Sequence, residues 1–310
     1  ELERDRKRAH LALIGFSDDA KALALQFIKV APHPDLGVPK VTIFSRDSEN
    51  DKSFIEQRMP IRLGLVDVNV VEMALFPDYE AILAQCTKTD PVGLVYLSER
   101  ADGQQQRFAF ELAALAERTS SEAAMICLKG TASNRLWVEQ MQNYSIWPMR
   151  CLTLDDQHLS TSALSGEIDK LAQAIHAAYK GYKLNVSGET PLDVMGEWLS
   201  LDENLRASNR RAADSAKTKL EALGITGISF PGVVHSPEVS EARFEALAEA
   251  EHRSWMADRF INGWRLGELR DNRRRLHHNL VPYCSMTEAD KELDRRQVQT
   301  VVKLLSEQVV

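Results

Sequence analysis

The chain has few cysteines and no long apolar runs, and each shortage excludes something. Its four cysteines (Cys86, Cys127, Cys151 and Cys284) lie far apart, with no CxxC pair and no metal-ligand spacing. All four read as packing residues in a reducing compartment, and no metal site is expected. No apolar stretch approaches the roughly 18–20 residues that span a bilayer. The sequence also lacks G-x-S-x-G, a P-loop, HExxH and any Cys–His pairing close in sequence, so nothing points to a catalyst. Nor is there an excess of basic charge. Residues 200–310 carry 17 Lys and Arg against 17 Asp and Glu, leaving 21 against 28 in the remainder of a chain of net charge −7. A nucleic-acid partner is therefore not expected. There is no initiator Met, and the charged start "ELERDRKRAH" suggests a fragment whose upstream part is missing.

What is present begins with alternation. Apolar runs recur at 10–16, 40–44, 66–72, 92–97 and 123–128, with a weaker sixth near 149–154. Helical patterns such as "DDAKALALQFIKVA" and "GQQQRFAFELAALAER" lie between most of them. Buried strands separated by amphipathic helices predict an α/β fold, a doubly wound parallel sheet covered on both faces. A smaller, mainly helical domain should follow. We place the Rossmann-like domain at 1–181, a Gly-, Ser-, Asn- and Pro-containing linker at 182–191, and the helical part at 192–310, with its core at about 236–310.

In such a fold the first turn faces the ligand site, and here it reads "LIGFSDDAKALA". Measured against G-x-G-x-x-G, Gly15 keeps the first place, Ser17 takes the second and Ala20 the third. Asp18 and Asp19 suit the helix dipole but would repel a phosphate. The second strand ends at Ser45-Arg46, without the usual ribose-binding acid. Gly15, Phe16, Ser17, Ser45 and Arg46 are the candidate contacts should a nucleotide bind there. NAD(P) itself is expected to bind weakly or not at all, and the cofactor is otherwise unknown. The turn and the order of elements over residues 8–155 resemble the TrkA-N or RCK regulator domain of potassium-transport systems. That resemblance implies a domain that senses nucleotides or ions and gates a membrane partner.

The helical part carries its own signals. Asp202 is an N-cap candidate and Gly224 a stop, Ser236-Pro237 opens a helix running to about Asn262, and Thr287 with Asp290 forms a capping box for the last helix. On the middle helix, Phe244, Leu247 and Ala248 set an apolar stripe whose continuation is Glu251, Trp255 and Arg259. A carboxylate and a guanidinium thus fall where apolar residues belong. Two explanations remain: a salt-bridged network with the indole filling core volume, or a pocket wall offering a ring and an anion partner.

The run from "LAEAEHRSWMADRFINGWRLGELRDNRRRLHHNLVPY" to "DKELDRRQV" resembles the ryanodine-receptor repeat, the RyR domain. Matching positions include Glu251, His252, Trp255, Arg259, Gly263, Trp264, Gly267, Arg270, Asp271, His277, Leu280 to Tyr283, Lys291, Glu292, Asp294 and Arg295. The stretch before it, "WLSLDENLRASNRRAADSAKTKLEALG", looks like the segment preceding this repeat in bacterial proteins. His278 departs from the pattern, where Pro is commoner. The resemblance implies two roughly antiparallel helices, about 240–262 and 287–308, joined by a long crossing segment. In that frame Trp264 and Tyr283 should be buried, Asp294 and Arg295 should tie the last helix to the crossing segment, and the arginines at 270 and 273–275 should be exposed. Glu251, His252, Trp255, Arg259, Trp264, Arg270, Asp271, His277 and Tyr283 are the candidate ligand-binding residues. The function expected is a cytoplasmic, non-catalytic sensor of a small anionic, nucleotide-like ligand. It would act as a homo-oligomer on a membrane part or channel partner upstream of residue 1. An NAD(P)-dependent enzyme and an interaction module without a small ligand are the alternatives.

Overall fold

The structure is a computed structural model and describes residues 7–73, 78–87, 92–98, 102–119, 124–141, 148–152, 169–180, 192–224 and 240–307. The linker at 182–191 and the Ser236-Pro237 helix start fall outside the described residues. The chain divides into two compact units, residues 1–27 with 36–158, and residues 28–35 with 159–310.

In the first unit all six apolar runs are strands: β1 (His10–Ile14), β2 (Lys40–Ser45), β3 (Asp67–Glu72), β4 (Leu94–Leu97), β5 (Met125–Lys129) and β6 (Met149–Leu152). They form one parallel sheet in the order β3-β2-β1-β4-β5-β6. The order reverses between β1 and β4, the switch point where doubly wound sheets take ligands. Helices α1 (Asp18–Val30), α2 (Ser48–Arg58), α3 (Tyr79–Thr87), α4 (Asp102–Arg118) and α5 (Ala132–Met141) alternate with the strands. Leu11 to Ile14 of β1 and Val95 to Leu97 of β4, together with Phe108 and Leu112 of α4, lie in the buried core. Edge strand β3 is only half-buried, because one side of its ladder is unpaired.

The second unit contains α6 (Lys170–Tyr179), α7 (Leu192–Ser200), α8 (Glu203–Asp214), α9 (Ala216–Ala222), α10 (Glu241–Ile261) and α11 (Glu288–Glu307). Ala174 and Ile175 of α6, which precedes the sequence-based linker, pack with Ala212, Leu220, Leu247, Val298 and Val301 in one core cluster. The Phe244, Leu247 and Ala248 stripe is inward, with the last two nearly inaccessible. Asp202 caps α8, accepting the Asn204 N–H at 2.8 Å. The helical pattern running on to Gly224 is broken at Ser215, whose hydroxyl turns back to the carbonyls of Arg211 (3.0 Å) and Ala212 (3.2 Å). Such back-bonding competes with the helix ladder. Ser240 caps α10 through the Arg243 N–H, and Thr287 and Asp290 form the capping box of α11.

Gly263 ends α10 at φ +84°, with the Trp264 N–H reaching back to Arg259 O at 2.9 Å. This is the left-handed stop that an L side chain resists. The crossing segment then forms two short parallel strands, β7 (Arg265–Leu266) and β8 (Leu276–His277). Among the described helices none is long and apolar enough to cross a membrane.

Candidate functional site

Two places in the sequence suggested anion binding, and the structure treats them differently. At the first turn, Gly15 has φ +88° and donates its N–H to Phe44 O at 2.9 Å, so the tight turn survives. Phe16 is buried edge-on against Phe54, with ring centroids 5.6 Å apart. Ser17 donates to one oxygen of Asp19, and the Tyr96 hydroxyl donates to the other at 2.5 Å. Lys129 Nζ lies 3.9 Å from the same carboxylate. Burial pushes the Asp19 pKa up, but the two hydroxyls and Lys129 outweigh it and hold the carboxyl below its usual range. Asp18, by contrast, is fully exposed beside Lys21. Both acids lie in the first turn of α1, at its positive end, but only Asp19 is held there by hydroxyl donors. Ser45 is buried and bonded to Asp51, and Arg46 is exposed.

The second place is a cavity of about 370 Å³ within the helical unit. Glu251, His252, Trp255, Arg259, Trp264, Arg270 and His277 all line it. Asp271 and Tyr283 do not. Asp271 bonds its backbone to Leu276 and caps a turn by accepting the Arg274 N–H at 2.9 Å. Tyr283 is buried and donates to Glu245 at 2.9 Å. Helix geometry brings four of the lining residues together, because 251, 252, 255 and 259 share one face of α10, and the crossing segment supplies Trp264, Arg270 and His277.

The expected stripe splits by chemistry. Glu251 is buried in an ion-pair triad, 2.7 Å from Arg211 Nη2 and 2.7 Å from Lys219 Nζ. Burial alone would raise its pKa, but the two cations hold it down at about 2. Arg211 also donates to Ser254 at 2.7 Å. For Glu251 the salt-bridged network is the correct description. Arg259 belongs to no such network. It is 7 % exposed, and the one hydrogen bond of its side chain among the described residues is a 3.3 Å contact from Nη2 to Ser208 Oγ. Its Nε and Nη1 have no acceptor there. Its guanidinium lies over two indoles, 5.0 Å from the Trp264 ring centroid and 5.7 Å from that of Trp255. Burial above all, against the attraction of Asp258 and helped by the repulsion of Arg211 and Arg270, lowers its pKa.

The surrounding groups are mixed. His277 stands edge-on to Trp255 at 4.9 Å, and its Nδ1 accepts the Asn279 N–H at 3.1 Å, leaving Nε2 as the donor. Burial first, then His278, Arg270 and Arg259, push its pKa down to about 4, so the ring is neutral at pH 7. His252 has both nitrogens engaged, Nε2 on Val281 O at 2.9 Å and Nδ1 on Asp294 at 3.0 Å. It is a strut more than a free ligand contact. Burial raises the Asp294 pKa despite that hydrogen bond. Trp264 is 4 % exposed and its Nε1 lacks an acceptor among the described residues.

Asp294 and Arg295 tie α11 to α10 and not directly to the crossing segment. Arg295 grips Glu245 with two bonds of 2.7 and 2.8 Å, while Asp294 takes His252. Arg273, Arg274 and Arg275 are exposed, and Arg275 donates to Asn262 O at 2.7 Å. His278 is exposed and stacked on His277. Cys127 is buried, whereas Cys284 is exposed and not a packing residue.

The helix pair is tied by His252–Asp294 and Glu245–Arg295, and Gly263 opens its crossing segment. Residues 233–308 match the RyR domain family. The match takes in α10, the crossing segment and α11. Helices α6 to α9 precede it. No curated protein gave a significant match.

Sequence reading missed Ser208, Asn209 and Arg211 of α8, His176 of α6, and Asn279, Asp290 and Gln297, all of which line the cavity. A signal existed for some. Asp290, Leu293, Asp294 and Gln297 recur at helical spacing.

Proposed function

We propose that the RyR-containing unit is a non-catalytic sensor of a small, planar, anionic ligand of nucleotide-like character. The carrying observation is Arg259. A guanidinium this buried, with two of its nitrogens lacking an acceptor among the described residues, bears a desolvation cost that its own surroundings do not offset. An anion in the adjoining cavity would offset it. The indoles of Trp255 and Trp264 favour a flat group beside that anion, and neutral His277 adds a donor. The volume is at the small end of the range for small-molecule sites, about 300–1,000 Å³.

The first unit's likeness to TrkA-N or RCK regulator domains supports a regulatory output. The sensor would report to a membrane part or channel partner by a shift between conformations that differ in ligand affinity. A cytoplasmic location and assembly as a homo-oligomer belong to the same proposal.

The test is a thermal-shift screen of the full chain with AMP, GMP, their 3′,5′-cyclic forms and the corresponding diphosphates. At least one should stabilise, by roughly 2.7 kcal/mol at 100 times its dissociation constant. Arg259→Lys should weaken that response although the charge is kept, because lysine lacks the planar fork. Absence of stabilisation by every nucleotide would overturn the proposal.

A further inference from the structure

Eight of the 21 residues lining the cavity precede the matched repeat. The most pointed is Ser208 of α8, whose hydroxyl gives the Arg259 guanidinium its one hydrogen bond among the described residues. An acceptor hydroxyl keeps its own proton, so Ser208 can donate to an anion that Arg259 attracts. Leu205, Ser208 and Asn209 fall at i, i+3 and i+4, which puts all three on one face of α8, and all three line the cavity. Asn209 spends its amide N–H on Leu205 O at 2.9 Å, which leaves its carbonyl oxygen as an acceptor.

The same helix is pinned within a turn of Ser208. Arg210 makes two 2.7 Å bonds to Asp169, and Arg211 is buried against Glu251. The Ser208 contact is the longest of these and lies on the cavity side, so it is the one a ligand would remake.

From this, and resting on the reading of the cavity as a ligand site, we infer that the anion seat is bipartite. Arg259 comes from the repeat and Ser208 from the helix before it. Occupancy clamps α8 against α10, which makes α8 the element through which binding is passed on.

The experiment uses the full chain and whichever of AMP, GMP and their 3′,5′-cyclic forms stabilises it most, with inorganic phosphate as the anion-only control. Hydrogen exchange should slow on nucleotide addition in 203–214 as well as in 251–259. Ser208→Ala should weaken nucleotide binding about ten-fold and abolish the added protection of 203–214. Ser208→Thr, which keeps the hydroxyl, should restore both. Wild-type affinity in Ser208→Ala, or protection confined to 251–259 in the wild type, overturns the bipartite seat and leaves the sensor standing. Protection of no segment by any nucleotide overturns both.

Discussion

Replacing Glu251 by Gln keeps the shape of the side chain and deletes the charge that two buried cations share. Arg211, Lys219 and Glu251 have side chains 4 %, 6 % and 1 % exposed. With the carboxylate gone, two positive groups remain out of water within reach of each other. Breaking a buried pair from one side costs about 3–5 kcal/mol. The depressed acidity leads to the same figure. A fall from 4.5 to about 2, at roughly 1.4 kcal/mol per unit, is about 3 kcal/mol of stability. Because the folded pKa is the lower one, this stability is present above pH 4.5 and lost as pH falls towards 2. Urea denaturation with tryptophan fluorescence, which includes Trp198, Trp255 and Trp264 of this unit, should show a lower midpoint at unchanged slope. Arg259→Met is the paired measurement. It leaves no carboxylate stranded, so without ligand it should be neutral or stabilising. A loss under about 1 kcal/mol for Glu251→Gln, or an equal loss for Arg259→Met, would refute the division of the stripe.

Three further outcomes are expected. Trp264→Ala should cost about 3–5 kcal/mol and Arg274→Ala no more than about 0.5, because one ring is buried and the other side chain exposed; equal shifts in Tm would contradict this. NAD or NADH at millimolar concentration should give little heat in isothermal titration, and Ser17→Gly combined with Asp19→Asn should increase it; a micromolar Kd for the unmodified chain would reverse the reading of the turn. His277, neutral in the fold down to about pH 4 and protonated when unfolded below about 6.5, contributes stability above 6.5 that is lost as pH falls through that window. His277→Gln should flatten that part of the pH–stability curve, and an unaltered curve would exclude it.

The sheet was legible because each strand is a continuous apolar run bounded by helical periodicity, and a parallel sheet buried on both faces demands that pattern. The last helix was legible from its Thr287 and Asp290 capping box, and the end of α10 from Gly263. The seam of the cavity was not. Its α8 wall is built of Leu205, Ser208 and Asn209, residues as common on a solvated helix as on a binding face. Only the fold sets Ser208 opposite Arg259, which is 51 positions away. The Glu251–Arg259 relation failed for a similar reason. Sequence spacing placed the two on one face, but the partners that separate their roles, Arg211 and Lys219, sit on other helices.

The chain thus has two sites of concentrated positive potential, and they differ in whether an anion is already built in. At the start of α1 the helix dipole meets Asp19, which Ser17 and Tyr96 hold in place and Lys129 faces at 3.9 Å. A phosphate arriving there would have to displace a covalently attached carboxylate whose effective concentration is high. At Arg259 the nearest competing acid is Asp258, whose Oδ1 accepts from Asn262 at 3.0 Å, and Glu251 is committed to two other cations. Nothing comparable would have to be displaced. An external anion is therefore favoured at Arg259 by the same electrostatics that disfavour it at the first turn, and this asymmetry is the reason the proposed ligand is assigned to the RyR-containing unit.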